Sequence, residues 1–249
     1  MTTRVLTATR LGFREQARRP LLLVLLVVLP FFFITRAIAR TEPTPRLLGL
    51  PGGGDILTTM KDAHGASMVT ITVAFLAALC GVFIMRSARS ADRRLIVAGY
   101  RPIEAVLPRL VVLATGTAVV LTVSLAVTAL SWTPASWPVF ILGNLLVGLT
   151  YACIGALAGA ALGQLGATYL VLFGAMLGIG ILQNPMFGDG TPGGLAYAFP
   201  DYGAGRVIID GAFSPTFHAW GELALAVGWL AALAVAVAWV FRRLLRSAA

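Results

Sequence analysis

The most regular feature of this chain is a succession of long apolar runs divided by short polar clusters. A helix that crosses the hydrocarbon core of a membrane needs about 20 mostly apolar residues. Six runs are long enough, at about 20–39, 66–85, 103–131, 137–162, 167–183 and 217–241. The pattern predicts an all-α, polytopic membrane protein whose six transmembrane helices form a single domain over residues 1–249.

The residues ahead of the first run predict an amphipathic helix over 1–19. Its arginines recur at i, i+4 spacing on one face, at Arg10, Arg14 and Arg18, with apolar side chains on an adjacent face. Such a helix lies along a membrane surface with its arginines at the phosphates. A plain basic anchor for the first span is the alternative interpretation.

A charged segment at 87–102 separates the second and third runs. It predicts a short helix that Gly99 ends, followed by Pro102 at the first position of the next helix and Glu104 near that helix's positive end. A charged helix at the tip of a loop is a surface that a soluble partner could bind. The alternative is a solvated linker.

Small residues form a stripe along the fourth and fifth runs. The glycines repeat at intervals of four, at Gly155, Gly159 and Gly163, and again at Gly174 and Gly178. Small residues at this spacing let helix backbones approach closely in lipid. We expect these glycines to pack helices together within the bundle, or less often to form the interface between two copies of the chain.

Two longer segments connect the spans. Residues 40–65 are rich in proline and glycine, and we expect them to be irregular, with the triplet Gly52-Gly53-Gly54 as a flexible loop. Residues 184–216 contain two short apolar stretches, 195–199 and 207–213, which predict short helices at the membrane interface.

Composition excludes a soluble globular protein. Hydrophobic residues make up 58% of the chain and charged residues only 12%, whereas a soluble domain carries about 25% charged residues. The two cysteines, Cys80 and Cys153, both lie inside apolar runs. They are interpreted as buried thiols and not as a disulfide framework.

The charges predict an orientation. Nineteen basic residues oppose 10 acidic ones, and 14 of the 19 lie before the first run, between the second and third or, for Arg109, near the start of the third, or after the sixth. Because Lys and Arg are retained on the cytoplasmic side, both termini are expected on the cytoplasmic side of a bacterial cytoplasmic membrane. The arginines border apolar runs and form no stripe with interleaved aromatics, so nucleic acid is not an expected partner.

The sequence lacks the chemistry of an ATPase. A phosphate-binding loop needs the pattern GxxxxGK[ST], but the sole lysine, Lys61, precedes Asp62. The chain is therefore not expected to be an enzyme or to hold a cofactor or metal. Weaker alternatives are a metal site at His64 and His218 with Asp62, or a Ser67–His218 protease pair. A buried titratable cluster would favour a membrane enzyme, and none is visible in the sequence.

These features, in this order, resemble the permease subunit of an ABC-2 type ABC transporter. The nearest local match is LIVAGYRPIEAVLPR at 95–109, similar to the family's coupling segment L-A-T-P-V-S-R-x-E-L-L-x-G-K with Arg101, Glu104 and Arg109 in register. Phe199-Pro200 followed by 206–213 is similar to the family's proline-led outer segment. Ser90-Ala91-Asp92 stands where the family usually has E-x-G-T.

The resemblance implies a division of labour between subunits. This chain would form the path for an exported amphipathic small molecule, drug or lipid, together with a second permease copy or a related permease. Two ATP-binding subunits, which would hold the ATP and Mg, would dock on a set of coupling residues: Asp92, Arg93, Arg94, Gly99, Tyr100, Arg101 and Glu104. A membrane-embedded enzyme or a non-transporting scaffold is the alternative.

Overall fold

The computed structural model describes residues 2–18, 20–97, 102–184, 187 and 192–246. Its helices are α1 (Thr2–Ala17), α2 (Pro20–Arg40), α3 (Met60–Val97), α4 (Pro102–Ala129), α5 (Trp137–Ala161), α6 (Gln164–Ala175), α7 (Tyr202–Phe213) and α8 (Trp220–Arg246). Helix α6 continues as a π-helical segment, Met176–Leu182, and a short 3-10 helix covers Gly194–Ala198. Two strands, β1 (Pro45–Gly49) and β2 (Asp55–Thr59), precede α3.

The predicted all-α membrane fold is confirmed. Six helical segments are long and apolar enough to cross a membrane, namely Leu23–Arg40, Met60–Ser87, Val106–Ala129, Trp137–Ala161, Gln164–Leu182 and Trp220–Leu244. The segment within α3 is the most buried of the six and that of α8 the least. Helix α3 is therefore the centre of the bundle, and α8 leaves most of its surface for lipid.

The second span begins earlier than the apolar run predicts. Thr59 and Asp62 cap its first turn, because the Asp62 N–H donates to Thr59 Oγ1 at 3.1 Å and the Thr59 hydroxyl donates to Asp62 Oδ2 at 2.7 Å. The first bond satisfies one of the backbone donors that a helix start leaves open, and the second holds the two side chains together. Helix α3 consequently includes the polar residues 60–65 that the sequence analysis assigned to a loop.

The segment at 87–102 is not a separate helix as far as the structure describes it. Helix α3 runs without interruption through the end of the apolar span at Ser87 and on to Val97. At 1.5 Å per residue, residues 88–97 add about 15 Å of helix beyond the span. Gly99, Tyr100 and Arg101 lie outside the described residues, and α4 begins at Pro102, as expected for proline at a first helical position.

The segment 40–65 is more regular than predicted, because it forms an antiparallel β-hairpin. Leu47 pairs with Leu57 and Leu48 with Ile56. The turn contains Gly52, Gly53 and Gly54 at φ of 84°, 92° and 88°. Only glycine adopts this region at little cost, so the triplet builds a defined turn and not a flexible loop.

Two ends of the bundle can be distinguished. At the hairpin side, the β-hairpin, α7 and the loop before α5 meet, with Ala135 N–H and Ser136 N–H donating to carbonyls at the end of α7. At the terminal side, Met85, Val106 and Phe241 pack together from the ends of α3, α4 and α8. The 3-10 helix and α7 correspond to the two short helices predicted in 184–216, although α7 begins five residues earlier than predicted, at Tyr202.

Candidate functional site

The terminal side carries a platform in which α1 is fixed to α4. Arg109 is buried and its Nη1 lies 3.3 Å from Glu15 Oε2, while Arg4 Nη1 lies 3.8 Å from Glu104 Oε2. Between the two ion pairs, Gly12 leaves room for Val112, whose Cγ2 would lie 2.9 Å from a β-carbon at position 12. Helix α1 therefore packs against α4.

The predicted coupling residues do not all lie on one accessible surface. Asp92, Arg93 and Arg94 lie on the extension of α3 beyond its span. Glu104 is only 4% exposed and pairs with Arg4. It was expected to contact a partner, but its burial against α1 makes it a residue that positions α1.

The glycine stripe divides into contacting and open positions. A β-carbon on Gly155 would meet the carbonyl oxygen of Ala78, and one on Gly159 would lie 2.9 Å from the carbonyl oxygen of Val82. Gly81 makes the reciprocal approach to α5 at Ala152. Helices α3 and α5 thus touch through their backbones, which requires glycine on both sides.

The remaining glycines of the stripe have other surroundings. A β-carbon on Gly163 or Gly174 would meet no described heavy atom within 4 Å, so the stripe does not extend to them within the chain. Gly163 instead lies in the break between α5 and α6. Gly178 admits a carboxylate, because its β-carbon would lie 2.5 Å from Asp201 Oδ2.

That carboxylate belongs to a buried polar cluster on the hairpin side. Asp201 is fully buried, and its Oδ2 accepts a 2.8 Å hydrogen bond from the Tyr151 hydroxyl. Its Oδ1 is buried without a hydrogen-bond partner among the described residues. The cluster lies against the π-helical segment, a type of irregularity that often marks functional sites.

Burial raises the pKa of the Asp201 carboxyl, because the charged form loses its hydration, and hydrogen bonding by Tyr151 opposes this only in part. The Gln183 amide lies close enough to lower the pKa as a weak hydrogen-bond partner, although its Nε2 meets no acceptor in full hydrogen-bonding geometry within the described chain. A carboxyl of this kind holds its proton to a higher pH than an exposed aspartate.

The cluster adjoins a cleft between α3, the π-helical segment, α7 and the hairpin. The polar lining comes from Ser67, Thr70, Gln183 and Arg206, and the apolar lining from Leu48, Ile179, Pro192, Ile208 and Ile209, with Gly205 between them. We name this the hairpin-side cleft.

The other buried carboxylate, Asp210 on α7, has a structural role. Asp210 Oδ2 accepts backbone N–H bonds from His218 at 2.7 Å and Ala219 at 3.1 Å, immediately before α8 begins. This arrangement satisfies donors at the start of the last span. The weak alternatives of a histidine metal site gain no support, because no group of three metal-ligating side chains occurs among the described residues.

Sequence reasoning missed the buried cluster. Asp201 and Asp210 lie in the connecting segment 184–216 and Tyr151 lies inside the fourth apolar run. Tyr151 and Asp201 are 50 positions apart, and spacing alone carries no sign that they meet. The proline-led segment 199–200 immediately before Asp201 was the one available signal.

No protein-family model matches this chain, and no curated protein matches it. What the chain does has therefore to be inferred from the terminal-side platform, the buried cluster and the hairpin-side cleft.

Proposed function

We propose that this chain is the transmembrane permease subunit of an ATP-driven ABC-2 type exporter in a bacterial cytoplasmic membrane. The terminal side would be cytoplasmic, in keeping with the 14 of 19 basic residues that border it. The exported compound would be an amphipathic small molecule, drug or lipid.

The terminal-side platform is the single observation that carries this proposal. A charged extension of α3 projects about 15 Å beyond its span. Beside it, α1 is attached to the start of α4 by the Glu15–Arg109 and Arg4–Glu104 ion pairs. A soluble ATPase that binds this end would push on α3 itself and on the attached α1 and α4.

Helix α3 offers a route for transmitting that push. It is one continuous helix from Met60 to Val97, and its opposite end supplies Ser67 and Thr70 to the hairpin-side cleft. In between, its backbone contacts α5 at Gly155 and Gly159. Because packed helices shift as rigid bodies, movement of one end of α3 changes the cleft at the other.

The energy source lies in partner subunits under this proposal. ATP and Mg would be held by two ATP-binding subunits, since this chain carries no GxxxxGK[ST] pattern. A second permease copy would complete the path across the membrane.

A membrane-embedded enzyme is the second candidate, and the buried Asp201–Tyr151 pair is the observation that favours it. A carboxyl that retains its proton beside a phenol can serve as a general acid. The two candidates differ in a simple respect: an enzyme turns over its substrate without an ATPase, whereas the permease needs one.

The test reverses charge on the α3 extension. Arg93→Glu with Arg94→Glu should weaken binding of the ATPase subunit, and the loss should be larger at low salt, where repulsion is least screened. Arg242→Glu with Arg243→Glu is a matched control, because it reverses two exposed arginines on the same side of the bundle but on α8, a different helix.

Both double variants should insert into the membrane, since neither change lies within the core of a span. Binding is measured by co-purification of the ATPase, and transport in reconstituted vesicles. Normal ATPase binding by the Arg93 and Arg94 double variant would show that the α3 extension does not contact the ATPase and would remove the basis of the proposal.

A further inference from the structure

The hairpin-side cleft contains a buried positive charge. Arg206 on α7 is 7% exposed and lines the cleft. Its Nη1 donates a 2.9 Å hydrogen bond to the carbonyl oxygen of Gly49 on β1. A guanidinium keeps its charge inside proteins and has five N–H donors, so one neutral carbonyl leaves most of its capacity unused.

No carboxylate in the described chain forms an ion pair with Arg206. The described ion pairs join Arg4 with Glu104, Arg109 with Glu15, and His218 with Asp210. The buried acids nearest to it in sequence, Asp201 and Asp210, use their Oδ2 atoms for Tyr151 and for two backbone N–H groups, and neither Oδ1 atom accepts a hydrogen bond from Arg206. A buried charge without a counterion is costly, so the site is suited to an anion from outside the chain.

Other groups on the cleft wall favour an oxyanion that belongs to an amphipathic molecule. The Gln183 Nε2 is a buried donor without an acceptor among the described residues. Leu48, Ile179 and Ile208 supply apolar wall beside these donors. Thr70 lies ten residues into α3, which is about 15 Å from the helix start, so the cleft reaches toward the apolar part of the bundle.

We propose that the hairpin-side cleft binds the phosphate or carboxylate headgroup of an anionic amphiphile, with Arg206 as the counterion. The guanidinium would donate to the oxyanion through the N–H groups that Gly49 does not use. The inference rests on the proposed function only in one respect, which is that the bound amphiphile would be the exported compound. Binding itself requires no ATPase.

The test measures binding to the purified full-length chain in a neutral maltoside detergent, without ATP, by isothermal titration calorimetry. The probes are dihexanoyl phosphatidate and laurate as anionic amphiphiles, dihexanoylglycerol as a neutral amphiphile, and inorganic phosphate as a free anion. Arg206→Gln is compared with Arg40→Gln, which removes an exposed arginine at the end of α2.

The anionic amphiphiles should bind to the wild type and to Arg40→Gln. Arg206→Gln should weaken that binding about tenfold to a hundredfold, because a charge-assisted hydrogen bond is lost. Dihexanoylglycerol should bind weakly to all three proteins. Equal binding of the anionic probes to wild type and Arg206→Gln, or no binding to either, would overturn the proposal.

A second variant covers the case in which Arg206→Gln fails to fold. Gln183→Glu keeps the shape of the side chain and the hydrogen bond from Arg206 to Gly49, but it adds a negative charge to the cleft wall. It should weaken binding of both anionic amphiphiles, and unchanged binding would count against the site. If inorganic phosphate binds as tightly as dihexanoyl phosphatidate, the cleft is an oxyanion site, but the proposal that its ligand is an amphiphile is wrong.

The amphiphile-binding test and the test of the proposed function can fail independently of each other. Loss of ATPase binding tests the terminal side, whereas amphiphile binding tests the hairpin side in the isolated chain. A chain that binds anionic amphiphiles but no ATPase would support the cleft and contradict the exporter.

Discussion

The backbone contact between α3 and α5 makes a quantitative prediction for Gly155→Ala. The added β-carbon would overlap the carbonyl oxygen of Ala78, and its distance to the Ala78 α-carbon would be 2.8 Å. Comfortable contact between carbon atoms begins at about 3.5 Å. The obstacle is backbone on a buried helix, so the two helices must separate by a sizeable fraction of an ångström.

The expected cost follows from two opposing terms. Overpacking of a tight core costs about 1–3 kcal/mol, and a backbone obstacle places this site at the upper end of that range. Alanine returns about 1 kcal/mol through its better helix propensity. Gly155→Ala should therefore destabilise the fold by about 2 kcal/mol.

Gly174→Ala is the matched control on α6. Its β-carbon would meet no described heavy atom within 4 Å, so the propensity gain should remain unopposed. The two variants should differ by about 3 kcal/mol, which is a factor of about 100 in the unfolding equilibrium.

The assay is unfolding of the detergent-solubilised protein in increasing dodecyl sulfate, followed by tryptophan fluorescence. Gly155→Ala should unfold at a lower denaturant fraction than the wild type, and Gly174→Ala at an equal or higher one. If both variants unfold together, the close approach of α3 and α5 is not a source of stability.

Three further predictions concern separate parts of the molecule. Purified free of other subunits, the chain should hydrolyse no ATP in a phosphate-release assay, because its one lysine, Lys61, serves no phosphate loop; measurable turnover would contradict this. Reporter fusions at the two ends of the chain should both read cytoplasmic, and an external signal at either end would overturn the six-span topology. Asp201→Asn should flatten the pH dependence of stability. Burial raises the pKa of Asp201 in the folded protein. The contribution of this carboxyl to the free energy of unfolding is therefore complete below its unfolded pKa of about 3.9 and is lost as pH rises through the folded value. Thermal unfolding of both proteins between pH 4 and 8 measures this. The prediction is contradicted if, relative to Asp201→Asn, the wild type gains stability as the pH rises.

The spans were predictable because each depends on a local property, the length of an apolar run. Their boundaries were less so, since the start of α3 is set by the Thr59–Asp62 capping pair and not by hydropathy. The hairpin was missed for a related reason: the glycine triplet at 52–54 has the composition of a flexible loop, yet its positive φ values form a tight turn. Composition does not distinguish the two.

The candidate site was predictable only where it is contiguous in sequence. The charged extension of α3 could be identified because its residues follow one another. The Asp201–Tyr151 pair and the Arg206 cleft depend on contacts between distant segments, such as Arg206 to Gly49, which are 157 positions apart. The glycine spacing predicted a close helix approach, but it could not separate Gly155, which makes one, from Gly174, which does not.

The measurement that tests the exporter most directly is gentle purification of the chain from the membranes of its own host, followed by identification of bound proteins and assay of ATP hydrolysis. We expect an ATP-binding subunit to co-purify in stoichiometric amount and to hydrolyse ATP, and reversal of Arg93 and Arg94 to release it. A chain that purifies without any ATPase, yet transports or transforms a substrate by itself, would contradict the account.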